Sequence, residues 1–162
     1  MPAPSRSRLL AVAFAATMLC CAPAVASAQP DRRAPARASA KRTLGERAAA
    51  LAVREVGVPY RWGGTSPAGG FDCSGLVYWA YGRLGLDLPH SSYALYDQGR
   101  PVKRSRMKPG DLLFFYGLGH VGIYVGRGRM VHAPHSGTRV QVVSLRRSAY
   151  GARLVGIRRM MR

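Results

Sequence analysis

Ala48, Leu51, Ala52, Val53 and Val56 recur at the three-to-four-residue spacing of one helix face. Thr43 and Glu46 stand just ahead of them as a capping box, so a helix is predicted from Thr43 toward Gly57. Val58-Pro59 closes it, because proline disfavours helix in the residue before it. After a glycine-rich stretch from Tyr60 to Gly70, Leu76, Val77, Trp79 and Ala80 mark a second helix, with Asp72 as N-cap and Gly82 as stop. Ser91 or Ser92 can cap a third, short helix through Tyr96 that ends near Gly99. From Lys108-Pro109-Gly110-Asp111 onward the pattern changes to short runs rich in β-branched and aromatic residues. Strands are expected over 111–116, 120–126, 129–133, 140–145 and 154–160. Gly126-Arg127-Gly128 makes the second and third of these an antiparallel hairpin. Helices first and strands afterwards predict an α+β domain, with helices packed on one face of an antiparallel β-sheet.

The N-terminus follows another pattern. Arg6 and Arg8 precede an uncharged apolar run from Leu9 to Leu19, and Ala26-Ser27-Ala28 reads as a cleavage site. Residues 1–28 are therefore expected to be a signal peptide. The apolar run falls short of the ~20 residues a membrane-spanning helix needs, which puts an anchor second. Residues 29–42, rich in Pro, Ala and Arg without apolar periodicity, are expected to be a disordered linker. Residues 43–162 remain as one domain, with no internal repeat, and a monomer is expected.

Export changes the meaning of the cysteines. The leader removes Cys20 and Cys21 and leaves Cys73 without a partner. An unpaired thiol in an oxidising compartment is a liability unless it is buried or used. Cys73 falls at the predicted start of the second helix, where orphan N–H groups and the helix dipole favour thiolate, so a lowered pKa is expected. A cysteine nucleophile also needs a base within reach and a group to hold that base. His120 opens one strand of the predicted hairpin and His132 lies on the other, so the two should meet at one end of paired strands. Gly122, on the face of His120, is expected to leave room for the cysteine helix.

Charge narrows the partners. The chain carries 25 Lys and Arg against 7 Asp and Glu, a formal net charge of +18, and only Arg6 and Arg8 leave with the leader. Such a field favours polyanions. For an exported chain, an anionic cell wall or membrane surface is the expected partner. No compact basic block interleaved with aromatics suggests nucleic acid.

Five segments then carry a resemblance. Pro59-Tyr60-Arg61-Trp62-Gly63-Gly64, Phe71-Asp72-Cys73-Ser74-Gly75-Leu76-Val77, Lys108-Pro109-Gly110-Asp111-Leu112-Leu113-Phe114-Phe115, His120-Val121-Gly122-Ile123-Tyr124-Val125-Gly126 and Met130-Val131-His132-Ala133-Pro134 resemble, in order, the motifs of NlpC/P60 peptidoglycan hydrolases. The resemblance implies a papain-like α+β fold and a cysteine peptidase acting on peptidoglycan stem peptides, usually between D-glutamate and a diamino acid such as meso-diaminopimelate. It implies Cys73 as nucleophile, His120 as general base and His132 as the residue orienting it. Tyr60 would stand near the thiolate or oxyanion, and Asp72 and Ser74 would line the pocket for the substrate's free amino end. No cofactor or metal is implied. His90 departs from the family pattern, where arginine is common, and His135 is expected to be an exposed loop residue. The competing readings are a related amidase or acyltransferase, a non-catalytic wall-binding protein on the same scaffold, and a zinc site built from Cys73, His120 and His132.

Overall fold

The computed structural model describes residues 42–161, so the predicted signal peptide and nearly all of the predicted linker lie outside the described residues. Helix α1 spans Leu44–Arg54, and Thr43 and Glu46 form the expected capping box. It stops before Val56, with Glu55 as C-cap. Helix α2 spans Cys73–Gly82 and α3 spans Ser92–Tyr96, each with its capping side chain (Asp72 and Ser91) bonded to a backbone N–H of the first turn.

Two two-residue strands, β1 (Thr65–Ser66) and β2 (Gly70–Phe71), form a small antiparallel ribbon inside the glycine-rich stretch. The main sheet has β3 (Arg100–Pro101), β4 (Leu112–Phe115), β5 (His120–Gly126), β6 (Arg129–His132), β7 (Gln141–Ser144) and β8 (Leu154–Arg159). Their order is β3-β8-β4-β5-β6-β7, and every pairing is antiparallel.

Alternation along the strands sorts side chains onto two faces. Leu112, Phe114, Val121, Ile123 and Val131 join Ala48, Ala52, Leu76, Val77 and Tyr81 in the core between sheet and helices. The helices therefore cover one face, as the sequence predicts. Leu113, Phe115, Tyr124, Met130 and Ile157 form a second cluster on the other face, beneath Val102, Met107 and Tyr150 from the flanking loops. This explains why Leu112-Leu113-Phe114-Phe115 is apolar without interruption: β4 is buried on both faces.

The α2 and β4 ends are tied together at the far end of the sheet from His120. The Tyr81 hydroxyl donates to the Gly110 carbonyl at 2.5 Å. Asp111, almost fully buried, takes both a 2.6 Å and a 2.7 Å bond from the Arg159 guanidinium, and a third from the Lys108 N–H.

Candidate active site

Asp72 organises the start of α2. Its carboxylate accepts from the N–H of Gly75 at 2.7 Å and of Gly63 at 2.9 Å, and from the Ser74 hydroxyl at 3.1 Å. The glycine-rich loop is thereby fastened to the first helical turn. The approach is so close that a Cβ on Gly75 would stand 1.9 Å from the Gly64 carbonyl oxygen. His90 Nε2 completes the set, 2.9 and 3.0 Å from the two Asp72 oxygens. All of these contacts are internal, so Asp72 and Ser74 line the cleft with their hydrogen bonds already directed at one another and at the loop.

Cys73 is the first residue of α2, half-buried, and is the free cysteine among the described residues. Here a sequence expectation is corrected. Burial pushes the thiol pKa up, and the neighbouring Asp72 charge adds to this; backbone hydrogen bonds at Val121, Ser74 and Cys73 itself pull down without winning. The residue that caps the helix is also an anion beside the sulfur, so the expected gain from the helix start is offset.

The histidines meet on the adjoining strands. Ile123 pairs with Val131, and a Cβ on Gly122 would lie 3.3 Å from His132 Cβ, so His120 sits diagonally from His132. The two rings bond directly, Nε2 of His120 to Nδ1 of His132 at 2.8 Å. Both side chains are buried. Burial is the main reason the His120 pKa drops to about 4, with His135 adding to it. Burial, then His120, then His135 lower His132 to about 3. The pair is therefore neutral near pH 7. His135 itself is exposed, as expected.

A second correction concerns Gly122. A Cβ there would meet Met130 Sδ at 2.8 Å, and its neighbours Tyr124 and Met130 belong to the cluster turned away from the helices. The missing side chain makes room for His132 and Met130, not for α2.

A cleft of about 440 Å³ opens over the sulfur, lined by Tyr60, Trp62, Asp72, Cys73, Ser74, His90 and Tyr93, among others. Burial raises the Tyr60 phenol pKa, and the Cys73 and Asp72 charges raise it further, so Tyr60 stays an O–H donor. Trp62 is 87% exposed at the rim, an unusual state for so large an apolar ring. Tyr150 was not legible from sequence. It sits in a short 3₁₀ turn, Ala149–Ala152, and its ring lies against His120, His132, Phe115 and Tyr116. No capping or periodic signal distinguishes Ser148-Ala149-Tyr150-Gly151 from any other loop. Among the described residues no three His, Cys, Asp or Glu side chains are grouped as metal ligands.

The family model described as NlpC/P60 family matches residues 57–159. The chain belongs to the NlpC/P60 family. Its α+β architecture is the papain-like fold of that family: the solved structure of the peptidoglycan hydrolase RipB of Mycobacterium tuberculosis superposes with a TM-score of 0.64 at 34% identity, covering 74% of this chain and 65% of that one. A probable endopeptidase of Mycobacterium tuberculosis is 52% identical over 104 residues, 62% of this chain and 27% of that protein. The murein DD-endopeptidase MepH of Escherichia coli is 43% identical over 117 residues, 67% of this chain and 43% of that protein. The chain thus spans less than half the length of the probable endopeptidase and of MepH.

Proposed function

We propose that the chain is an exported cysteine peptidase that hydrolyses peptidoglycan stem peptides, with Cys73 as nucleophile. The observation that carries this reading is the half-buried sulfur at the start of α2, beside β5, whose first residue His120 is bonded through Nε2 to His132. In the resting pair the thiol and imidazole are both neutral. As the amide carbonyl enters, the thiol proton passes to Nδ1 of His120 and the sulfur attacks the carbon. The backbone N–H of Cys73 and the Tyr60 hydroxyl are the donors for the tetrahedral oxyanion. His120 then returns the proton to the leaving amine, and the acyl-enzyme forms. Water attacks the thioester, gives its proton to His120, and frees the acid and the thiol. His132 orients His120 throughout.

The proposed bond is that between D-glutamate and the diamino acid, with the free amino end of the stem held near Asp72 and Ser74. The likeness to a protein named a DD-endopeptidase supports a second reading, cleavage of the D,D cross-link. Mass spectrometry of products from defined stem peptides and cross-linked dimers distinguishes the two bonds. Cys73→Ala should abolish all product; unchanged turnover would remove the peptidase reading. Iodoacetamide should inactivate the enzyme and a chelator should not.

Retention on an anionic wall is the second part of the proposal. Arg100, Lys103, Arg106, Lys108 and Arg159 line a groove of about 580 Å³ at the opposite end of the sheet from His120. Asp111 engages Arg159, and Arg100, Lys103, Arg106 and Lys108 are exposed to solvent. Binding to isolated walls should weaken steeply between low and high salt. Arg100→Glu with Arg106→Glu should reduce retention while leaving hydrolysis of a soluble stem peptide intact; retention indifferent to both would count against the groove.

A further inference from the structure

The His120–His132 pair leaves one atom unaccounted for. His132 is fully buried, its Nδ1 is bonded to His120, and its Nε2 is enclosed without a hydrogen-bond partner among the described residues. Buried ring nitrogens are rarely left so. Tautomer logic makes the atom more telling. For His120 to accept the Cys73 proton at Nδ1, its own proton must sit on Nε2 and be donated to His132. A neutral His132 that accepts at Nδ1 must carry its proton on Nε2. Among the described residues, the proton that the mechanism requires there has no oxygen or nitrogen to meet.

What stands beside the His132 ring is another aromatic ring. Tyr150 lies with its centroid 4.8 Å from that of His132 and its plane at 84°, and 5.5 Å from His120 at a shallow 32°. A perpendicular pair at that distance is an arrangement in which the edge of one ring, here an N–H, can point at the negative face of the other. We propose, resting on the peptidase reading, that Tyr150 is a positioning residue: its ring accepts the Nε2–H of His132 and so locks both imidazoles in the tautomers that leave His120 Nδ1 free for the thiol. The ring, not the hydroxyl, supplies this. Phe115 and Tyr116 pack edge-on against Tyr150, at 5.2 and 5.8 Å, and hold it in place. Two aromatic neighbours therefore buttress a third that packs on both imidazoles.

The test separates ring from hydroxyl and tautomer from turnover. Nitrogen-15 spectra of the full chain should show His132 neutral with its proton on Nε2, and that proton shifted upfield by the Tyr150 ring. Tyr150→Phe should keep the shift and hold kcat within about threefold. Tyr150→Leu should lose the shift and lower kcat about tenfold or more with little change in KM, because orientation of the general base is lost rather than binding. A His132 proton on Nδ1 overturns the proposal, as does an Nε2 proton whose shift survives in Tyr150→Leu. A Tyr150→Phe variant as impaired as Tyr150→Leu would overturn it in favour of the phenol. If Tyr150→Leu does not fold, the wild-type tautomer, its ring shift and the Phe variant still decide. The spectra do not depend on any hydrolysis, so a failed peptidase assay and a failed tautomer assignment are distinct results.

Discussion

At the scale of single residues, the site depends on atoms that are missing as much as on those present. Gly122 lies across from His132, and its bare α-carbon lets that imidazole reach the neighbouring strand. Gly122→Ala would press on Met130 Sδ and on His132 Cβ. The methionine can yield, since its thioether is flexible; the histidine cannot yield without lengthening its 2.8 Å bond to His120. The expected outcome is a fold that survives, with a thermal midpoint within a few degrees of wild type, and a kcat reduced by about tenfold or more through misplacement of the base. Circular dichroism melts and turnover on one stem peptide check it, and equal loss of both would mean that the strand itself had been disrupted. Asp72 makes the complementary point. One carboxylate caps a helix, fastens a loop, engages His90 and raises the thiol pKa beside it. Reading it from sequence as an N-cap was sufficient to place Cys73, but it could not reveal the opposing electrostatic effect, which depends on how much water the finished cleft excludes.

At the scale of elements, legibility followed the length of the local signal. The capping box of α1, the N-cap of α2 and the apolar runs of β4 to β8 each span enough residues to impose a period, and their positions match the structure within two residues. The two-residue strands β1, β2 and β3 carry no period and exist because of what they pair with. The same holds for Tyr150, whose role depends on tertiary contacts alone. The hairpin itself was inferable from Gly126-Arg127-Gly128, all three at positive φ, but its register was not: a shift between Tyr124 and Gly126 moves the pairing from Gly126 opposite Arg129 to Tyr124 opposite Met130, and that shift brings His120 and His132 onto one face. Where elements join far from the site, one ion pair dominates. Asp111, 1% exposed, has Arg159 and the Lys108 N–H as its bonded partners, and Arg159 also donates to the Arg106 carbonyl. Arg159→Ala strands the carboxylate and should cost about 3 kcal/mol of stability. Arg159→Ala combined with Asp111→Leu should recover part of it. Urea denaturation of the four members of this cycle measures the coupling. A single-variant loss below about 1 kcal/mol would mean that water or a lysine replaces the guanidinium.

At the scale of the whole molecule, the burial that makes the histidine pair neutral ties stability to pH. An unfolded histidine takes up a proton near pH 6.5. In the folded protein His120 resists protonation until about pH 4 and His132 until about pH 3. Between pH 6.5 and about 4 the unfolded chain therefore binds protons that the folded chain refuses. Stability must rise with pH in that window and fall as the medium is acidified through it. The contribution is fully present above 6.5 and is progressively withdrawn below. Urea denaturation at a series of pH values from 7.5 to 4.5 should show this slope, with the transition staying cooperative. His132→Asn keeps a polar side chain beside His120 while removing one of the two titrating rings, so its slope should be about half that of wild type. A wild-type curve that is flat from 6.5 to 4.5 would mean that the folded pair takes up protons over the same range as the unfolded chain. That result would also bear on catalysis, since an imidazolium at His120 has no free nitrogen to take the proton from Cys73. The acid sensitivity of the fold and the competence of the proposed base thus come from the same exclusion of water around two rings on one hairpin.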